Sequence, residues 1–195
     1  MSRTAEESGE AKAEEINTSV AALSLPLDRD IFFRRMLREL SGTIEGIVGV
    51  EQAAGYVAAV GSSIGDWINS AYHAGMGPED FDVETVARIF VDLKRRIDGG
   101  FVVRSVSAES IVLVNDKCPF GDAVIDRPSL CMMTSNVFGR IAADNLGYAR
   151  VALEQTIAEG DSGCHIVVHL VPEAGASPDE REYYRLPDRF AEAAE

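Results

Sequence analysis

The sequence predicts an α+β domain in which helices pack on one side of a small antiparallel β-sheet. Two observations predict this class. Apolar residues recur at helical spacing through the first half of the chain, and after Phe101 the period changes to two. The second half then has the order β-β-α-β-β. We expect a single domain over residues 25–172, a disordered acidic tail over 1–24, and an acidic tail over 173–195 with a short helix.

Three helices are predicted in the N-terminal half. The first begins after Asp28 or Asp30, either of which can cap it, and it ends at Gly49. The second follows directly and stops before Pro78. Small residues recur along this second helix and predict close contact with another helix, either within the chain or across a homodimer seam; they are Ala54, Ala58, Gly61 and Gly65.

The third helix, between Asp82 and Gly99, has an acidic first turn and a basic last turn, an order that suits the helix dipole. The formal net charge of −14 opposes contact with nucleic-acid phosphates, so no direct nucleic-acid partner is expected. Two basic clusters are local exceptions that we predict to be solvated: Arg34, Arg35 and Arg38, and Lys94, Arg95 and Arg96.

The second half begins with two strands, FVVRSVS and SIVLVN, which a short turn joins. The segment DKCPFGDAVIDRP is a loop, and Pro128 lies in the first turn of a fourth helix. Two further strands begin at Tyr148 and Cys164. No apolar run is long enough for a membrane span, and the polar N-terminus has no signal core, so we expect a cytoplasmic protein.

The chain has three cysteines, and we expect them to be reduced thiols that bind metal or carry redox chemistry. Cys118 lies in a Pro-Gly loop, KCPFG. Cys131 lies in the first turn of the fourth helix, where the positive helix end favours thiolate. Cys164 begins a strand after a GDSG turn, so all three could meet at one edge of the sheet. His165 is a candidate fourth ligand, although neighbours on a strand point to opposite faces.

From Leu25 to Pro172 the chain resembles the methanogen output domain 1 family. The segments that carry the resemblance are LPLDRDIFFRRMLREL, VDLKRRIDGGF and CPFG…RPSLCMMTSNVFGRIAADNLGYARV…IAEGDSGC. The resemblance implies an output or sensory domain of prokaryotic signalling proteins, with the cysteines as a cofactor or metal site. The family is also distantly similar to 4-vinyl-reductase-type sensor domains.

The cysteine spacing is similar to that of the cluster-binding half of iron–sulfur repressors. In that group a fourth cysteine precedes the second strand, but Ala149 or a neighbour occupies its place here. Three thiolates could still hold a [4Fe–4S] cluster, or zinc with His165, a carboxylate or water as the fourth ligand. The resemblance thus implies a regulatory sensor of redox state, nitric oxide or metal status that signals through a protein partner.

Two alternatives remain open. The cysteines could be structural in a small-molecule sensor whose apolar pocket is lined by Trp67 and, on the fourth helix, by Met132, Met133, Val137 and Phe138. An enzyme is not favoured, because no complete nucleophile or acid–base set is present.

Overall fold

The computed structural model describes residues 20–172 and 180–185. Most of the two predicted tails lies outside these residues, as does the predicted terminal helix. The chain divides into two units, residues 1–33 and 34–195. In the first unit, Asp28 Oδ1 accepts a hydrogen bond of 2.8 Å from the backbone N–H of Ile31. Asp28 is therefore the residue that caps the first helix.

The helices lie where their spacing predicts them. They are α1 (Arg29–Val48), α2 (Val50–Met76), α3 (Val83–Arg96) and α4 (Cys131–Leu146). Gly49 separates α1 from α2 with a φ of 84°, a left-handed conformation that glycine adopts without a steric penalty. Asp82 caps α3, because its Oδ1 accepts from the Thr85 N–H at 2.8 Å. Two single 3₁₀ turns, Gly121–Val124 and Pro128–Leu130, lead into α4.

The strands form one antiparallel sheet in the order β1-β2-β4-β3-β5. They are β1 (Val102–Val106), β2 (Ser110–Asn115), β3 (Tyr148–Gln155), β4 (Cys164–His169) and β5 (Arg181–Tyr184). Helices in the N-terminal half and this sheet confirm the predicted α+β class. The strand β5 extends the domain past its predicted end at residue 172. Its four residues are too few to give a clear period of two.

The core lies between the helices and the sheet, and aromatic rings form its centre. Phe138 of α4 is fully buried, stacks on Phe90 of α3 at a centroid distance of 4.2 Å, and meets Phe101 edge to face at 5.8 Å. Ile111 and Leu113 on β2 and Ile166 and Val168 on β4 complete this layer.

The small residues of α2 pack against α4 within the chain. A Cβ added at Gly61 would lie 2.9 Å from Asn136 Cβ, and one added at Gly65 would lie 2.9 Å from Arg140 Cβ. Both are closer than real Cβ contacts, so the two helices approach at glycine distance. The small residues of α2 therefore contact α4 of the same chain, which is one of the two predicted arrangements. Because α4 covers them, they are not available for a homodimer interface.

None of the helices in the described part of the chain combines the length and the apolar character that crossing a bilayer requires.

Candidate thiol site

Three separate elements supply the three cysteines. Cys118 follows β2, Cys131 is the first residue of α4, and Cys164 is the first residue of β4. The register of the sheet pairs Asn115, the last residue of β2, with Cys164. The last residue of β2 and the first residue of β4 therefore lie side by side at one end of the strands. We refer to this end as the edge of the sheet at which the sequence places the cysteines.

The side chain of Asn115 fixes this edge. Its Nδ2 donates to the carbonyl oxygens of Gly99 at 3.1 Å and Lys117 at 2.8 Å, and its Oδ1 accepts from the Cys164 N–H at 2.8 Å. One buried amide thus joins the start of β4 to the loops that precede β1 and follow β2. Gly163 lies so close that an added Cβ would be 2.1 Å from the Asn115 carbonyl oxygen.

Charge on all three cysteines acts on one buried cation, Lys94. It lies in the last turn of α3 and is only 4% exposed. Its Nζ donates to Thr134 Oγ1 at 2.7 Å and lies 5.2 Å from the ring centroids of Phe101 and Phe138. Burial lowers the pKa of Lys94 to about 8, and negative charge on Cys118, Cys164 and Cys131 opposes that shift.

The three thiols also act on one another. Burial, together with charge on Cys164 and Cys118, raises the pKa of Cys131 to about 12. Burial also raises the pKa of Cys118 and of Cys164. All three thiols are consequently protonated near neutral pH in the absence of a metal ion.

The expectation that the helix start favours a Cys131 thiolate is wrong for this structure. The 3₁₀ turn Pro128–Leu130 already precedes α4, so Cys131 does not lie at a free helix end. Burial and the two neighbouring cysteines dominate its pKa instead.

Each sulfur has a protein hydrogen-bond partner. The Phe120 N–H donates to Cys118, the Ile157 N–H donates to Cys164, and the Thr156 side chain bonds with Cys131. All three interactions favour the thiolate form over the thiol. The site is therefore supplied with donors that stabilise negative charge on sulfur once a proton is displaced.

A small apolar cluster forms the wall of the site. Val124, Leu130 and Ala158 are buried there, and Cys118, Phe120, Cys131 and Ile157 pack against them. This cluster is separate from the main core. It restricts water at the sulfur atoms, which strengthens electrostatic interactions within the site.

The structure does not bring His165 to the three thiols. Its Nδ1 lies 2.6 Å from Glu154 Oε2 on the neighbouring strand. The register of β3 shifts between Leu153 and Gln155, which leaves Glu154 at a bulge opposite His165. His165 as a fourth ligand remains a prediction that this geometry does not support.

No three Cys, His, Asp or Glu side chains within the described ranges are arranged as a ready metal-binding group. The types of residue at the site nevertheless suit a thiophilic metal centre. Three sulfur donors, a hydrogen-bond donor for each and a buried cation are the components that a thiolate-bound metal or cluster needs.

Sequence reasoning missed Lys94 and Asn115. Lys94 was assigned to a solvated basic cluster, but only its neighbours Arg95 and Arg96 are exposed. Helical spacing predicts that Lys94 is buried, because it follows Val86 and Phe90 at intervals of four on the buried face of α3. Arg34 and Arg38 are likewise half-buried, since both lie against the loop after Cys118.

The predicted apolar pocket is only partly present. Val137 and Phe138 are buried core residues of α4 and are not among the residues of the groove that Trp67 lines. Trp67 instead lines an open groove of about 570 Å³ between α2 and α3. The groove residues are Trp67, Ile68, Ala71, Tyr72, Gly75, Met76, Leu93, Arg96 and Ile97.

Comparison with known proteins gives one family. The profile described as methanogen output domain 1 matches residues 36–169. No curated protein matches the chain. Among solved structures, one match is a trafficking protein particle complex subunit 3 from Naegleria fowleri, described as covalently bound to palmitic acid. It is 15% identical, covers 80% of this chain and 99% of that chain, and has a TM-score of 0.49.

Proposed function

Because the chain belongs to the methanogen output domain 1 family, we propose that it is a signalling domain whose three cysteines bind a thiophilic metal centre. An iron–sulfur cluster is the first candidate and zinc is the second. Cys118, Cys131 and Cys164 would hold it, and a protein partner would receive the signal. The observation that carries the proposal is that three cysteines from three separate elements all act electrostatically on the buried Lys94.

Charge balance supports a metal centre over structural cysteines. Three neutral thiols leave the Lys94 ammonium as a buried charge with no compensating anion among them, which is costly. Three thiolates around a dication, whether zinc or a [4Fe–4S] core, carry one net negative charge. The Lys94 ammonium neutralises that charge. The site is therefore electrically neutral when it holds the metal centre, and it has an uncompensated positive charge when it is empty.

The chemistry of such a centre would supply the sensing step: iron–sulfur clusters react with oxidants and nitric oxide, and either centre is lost when its metal is scarce. The chain's own residues would carry the consequence. When the ligands are released, the thiols take up protons, and the loop from Cys118 to Cys131 loses two of its attachments to the site. A change in this loop is what a partner protein would detect.

Metal analysis of anaerobically purified protein tests the proposal. We expect iron with sulfide, or zinc, bound to each chain, and we expect Cys118→Ser, Cys131→Ser and Cys164→Ser each to lose it. Lys94→Met, which keeps the length and removes the charge, should weaken metal retention by about tenfold or more, as expected for loss of one buried charge interaction. The readouts are elemental analysis, acid-labile sulfide and the visible spectrum.

His165→Gln is the matched control. His165 follows Cys164 in the chain but pairs with Glu154, so its replacement should leave metal content unchanged. Protein that contains neither iron nor zinc after anaerobic reconstitution would contradict the proposal.

A second candidate function has its own observation, the open groove of about 570 Å³ between α2 and α3. Its mostly apolar lining suits a small apolar ligand. In that case the cysteines are structural. A ligand screen by thermal melting that finds stabilisation with metal content unchanged, abolished by Trp67→Ala, would favour this function.

A further inference from the structure

The side of α1 that faces the rest of its unit is polar. Arg38 Nη1 donates to the carbonyl oxygens of Ala123 at 2.9 Å and Ile125 at 2.6 Å. Ser41 Oγ lies 2.8 Å from Ser129 Oγ. This stripe of α1 therefore hydrogen-bonds to the backbone and a hydroxyl of the segment between Cys118 and Cys131, and the apolar residues beside it, Leu37, Ile44 and Val48, are half-buried.

Glu45 and Arg34 extend the same face. Glu45 Oε1 accepts from Ser129 Oγ at 2.6 Å, and a Cβ added at Gly121 would lie 2.6 Å from Arg34 Nη1. With Arg38 and Ser41 these residues follow intervals of four, three and four, which is one stripe of a helix. Ser41 is the only buried residue of α1.

The opposite side of α1 is apolar and faces solvent. Met36, Leu40 and Ile47 fall on one stripe with Thr43, again at intervals of four, three and four. Their exposed fractions run from 38% for Met36 to 76% for Ile47. This apolar stripe thus faces solvent, whereas a surface helix of a globular protein directs its apolar stripe to the core.

The helix α2 has a second exposed apolar stripe. Tyr56, Val60 and Trp67 recur at intervals of four and seven, and Trp67 is 69% exposed. This stripe lies on the side of α2 opposite Gly61 and Gly65, which contact α4. The two stripes lie on consecutive helices that Gly49 joins, and we call their six residues the outer apolar face: Met36, Leu40, Ile47, Tyr56, Val60 and Trp67.

We propose that a second copy of this chain docks on the outer apolar face. Apolar side chains repeated at intervals of three and four are the pattern by which one helix packs along another. A second copy presents the same stripe, and a two-fold axis makes such a surface complementary to itself. The stripe positions carry no charge, so two chains of net charge −14 can meet there without direct repulsion.

The size and borders of the face also suit a second copy. Six large apolar side chains at these exposures offer roughly 600 Å² per chain, against about 800 Å² in an interface of standard size. Arg35 and Glu39, paired within α1 at 2.7 Å, border the stripe with opposite charges. In an antiparallel pair of α1 helices, Arg35 of one copy can meet Glu39 of the other.

A membrane surface fits the same face less well. Interfacial helices direct basic side chains to lipid headgroups. In α1, Arg38 donates hydrogen bonds to the carbonyl oxygens of Ala123 and Ile125, and Arg34 lies against Gly121. Neither side chain is therefore free to contact lipid headgroups. The net charge of −14 would moreover repel anionic headgroups.

Sedimentation velocity of the full chain over a concentration series tests this docking. We expect a dimer for the parent protein, and monomer for Leu40→Glu with Ile47→Glu and for Val60→Glu. All three positions are more than half exposed, so the new carboxylates are solvated in the monomer and the melting temperature should stay within a few degrees. Val102→Glu is the matched control, since Val102 is 55% exposed but lies on β1.

A parent protein that is monomeric at about 100 μM, roughly the range of weak dimers, would overturn the proposal. So would variants on the outer apolar face that remain dimeric, or a monomer that co-sediments with vesicles of anionic phospholipid. Metal content is measured on the same samples. The docking needs no metal, so an empty thiol site with an intact dimer would sink the proposed function and leave this inference standing.

Discussion

At the residue scale, single atoms at the edge of the sheet decide where the three thiols lie. The Asn115 side chain makes three hydrogen bonds there, and the absence of a side chain at Gly163 lets the chain pass over the Asn115 carbonyl. Neither residue has a thiol or a charge. Their effect on the site is positional, since each sets how closely β4 approaches the loop after β2.

Gly163→Ala should therefore damage the fold and the site together. The added Cβ would lie 2.1 Å from a backbone oxygen, which no side-chain rotation relieves. We expect the free energy of unfolding to fall by about 1–3 kcal/mol, the usual cost of overpacking, and the retained metal to fall with it.

Gly55→Ala provides the comparison for that change. Gly55 is exposed on α2, and a Cβ there has nothing within 4 Å. This variant should gain about 0.5–1 kcal/mol, because alanine favours a helix over glycine. Urea denaturation measures both variants, and equal stabilities would refute the steric argument.

At the element scale, the exposed side of α3 is tied to α2 by one carboxylate. Asp92 Oδ2 accepts from the Tyr72 hydroxyl of α2 at 2.7 Å and from Arg96 Nε at 2.6 Å, and Asp92 also pairs with Arg95. Hydrogen bonds from Arg95, Arg96 and Tyr72 hold the pKa of Asp92 well below its usual value of 3.8. Burial and the bond to Asp92 raise the pKa of Tyr72 to about 12.

The lowered pKa of Asp92 predicts a contribution to acid stability. The unfolded chain binds a proton at Asp92 more readily than the folded chain does. The stability that Asp92 contributes is fully present above its unfolded pKa of 3.8. It is lost as the pH falls toward the lower pKa of the folded state.

Asp92→Asn should lower the free energy of unfolding at pH 7 by about 1–2 kcal/mol, given a partly exposed charge cluster. It should also flatten the decline in stability below about pH 4, where the parent loses this contribution. Thermal melts of both proteins across this range test the idea, and curves that stay parallel would count against it.

At the scale of the whole molecule, the sequence predicts the helices and four of the five strands. Helical spacing and the change of period at Phe101 are local properties, so they can be recognised along the chain. The environment of each thiol is not local. The shift in the pKa of Cys131 arises from burial and from Cys164 and Cys118, which only the fold places nearby. The inward position of Lys94 can be predicted from helical spacing, whereas the four residues of β5 are too few to show a period of two.

A chain that ends at residue 172 tests the domain boundary. It lacks β5, whose Tyr183 is buried against α4 and lies 2.9 Å from Ser135 Oγ through its hydroxyl. We expect the shortened chain to lose about 3–5 kcal/mol, as for deletion of a buried aromatic side chain, and to aggregate more readily.

Tyr183→Phe in the full chain is the matched variant, because it removes only the hydroxyl hydrogen bond and should cost about 1 kcal/mol. Urea denaturation compares the three proteins. A shortened chain as stable as the parent would place the end of the domain back at residue 172.

The position of β5 also bears on how the protein is made. The strand β3 lies inside the finished sheet between β4 and β5. The ribosome synthesises β5 after every other strand, so β3 is an open edge until residues 181–184 have left the exit tunnel. During that interval Gly139 of α4, which in the folded protein has the Tyr183 ring within 2.2 Å of an added Cβ, is uncovered. The nascent chain therefore completes this sheet only after residues 181–184 emerge, and a chaperone that shields β3 until then would protect an open strand edge.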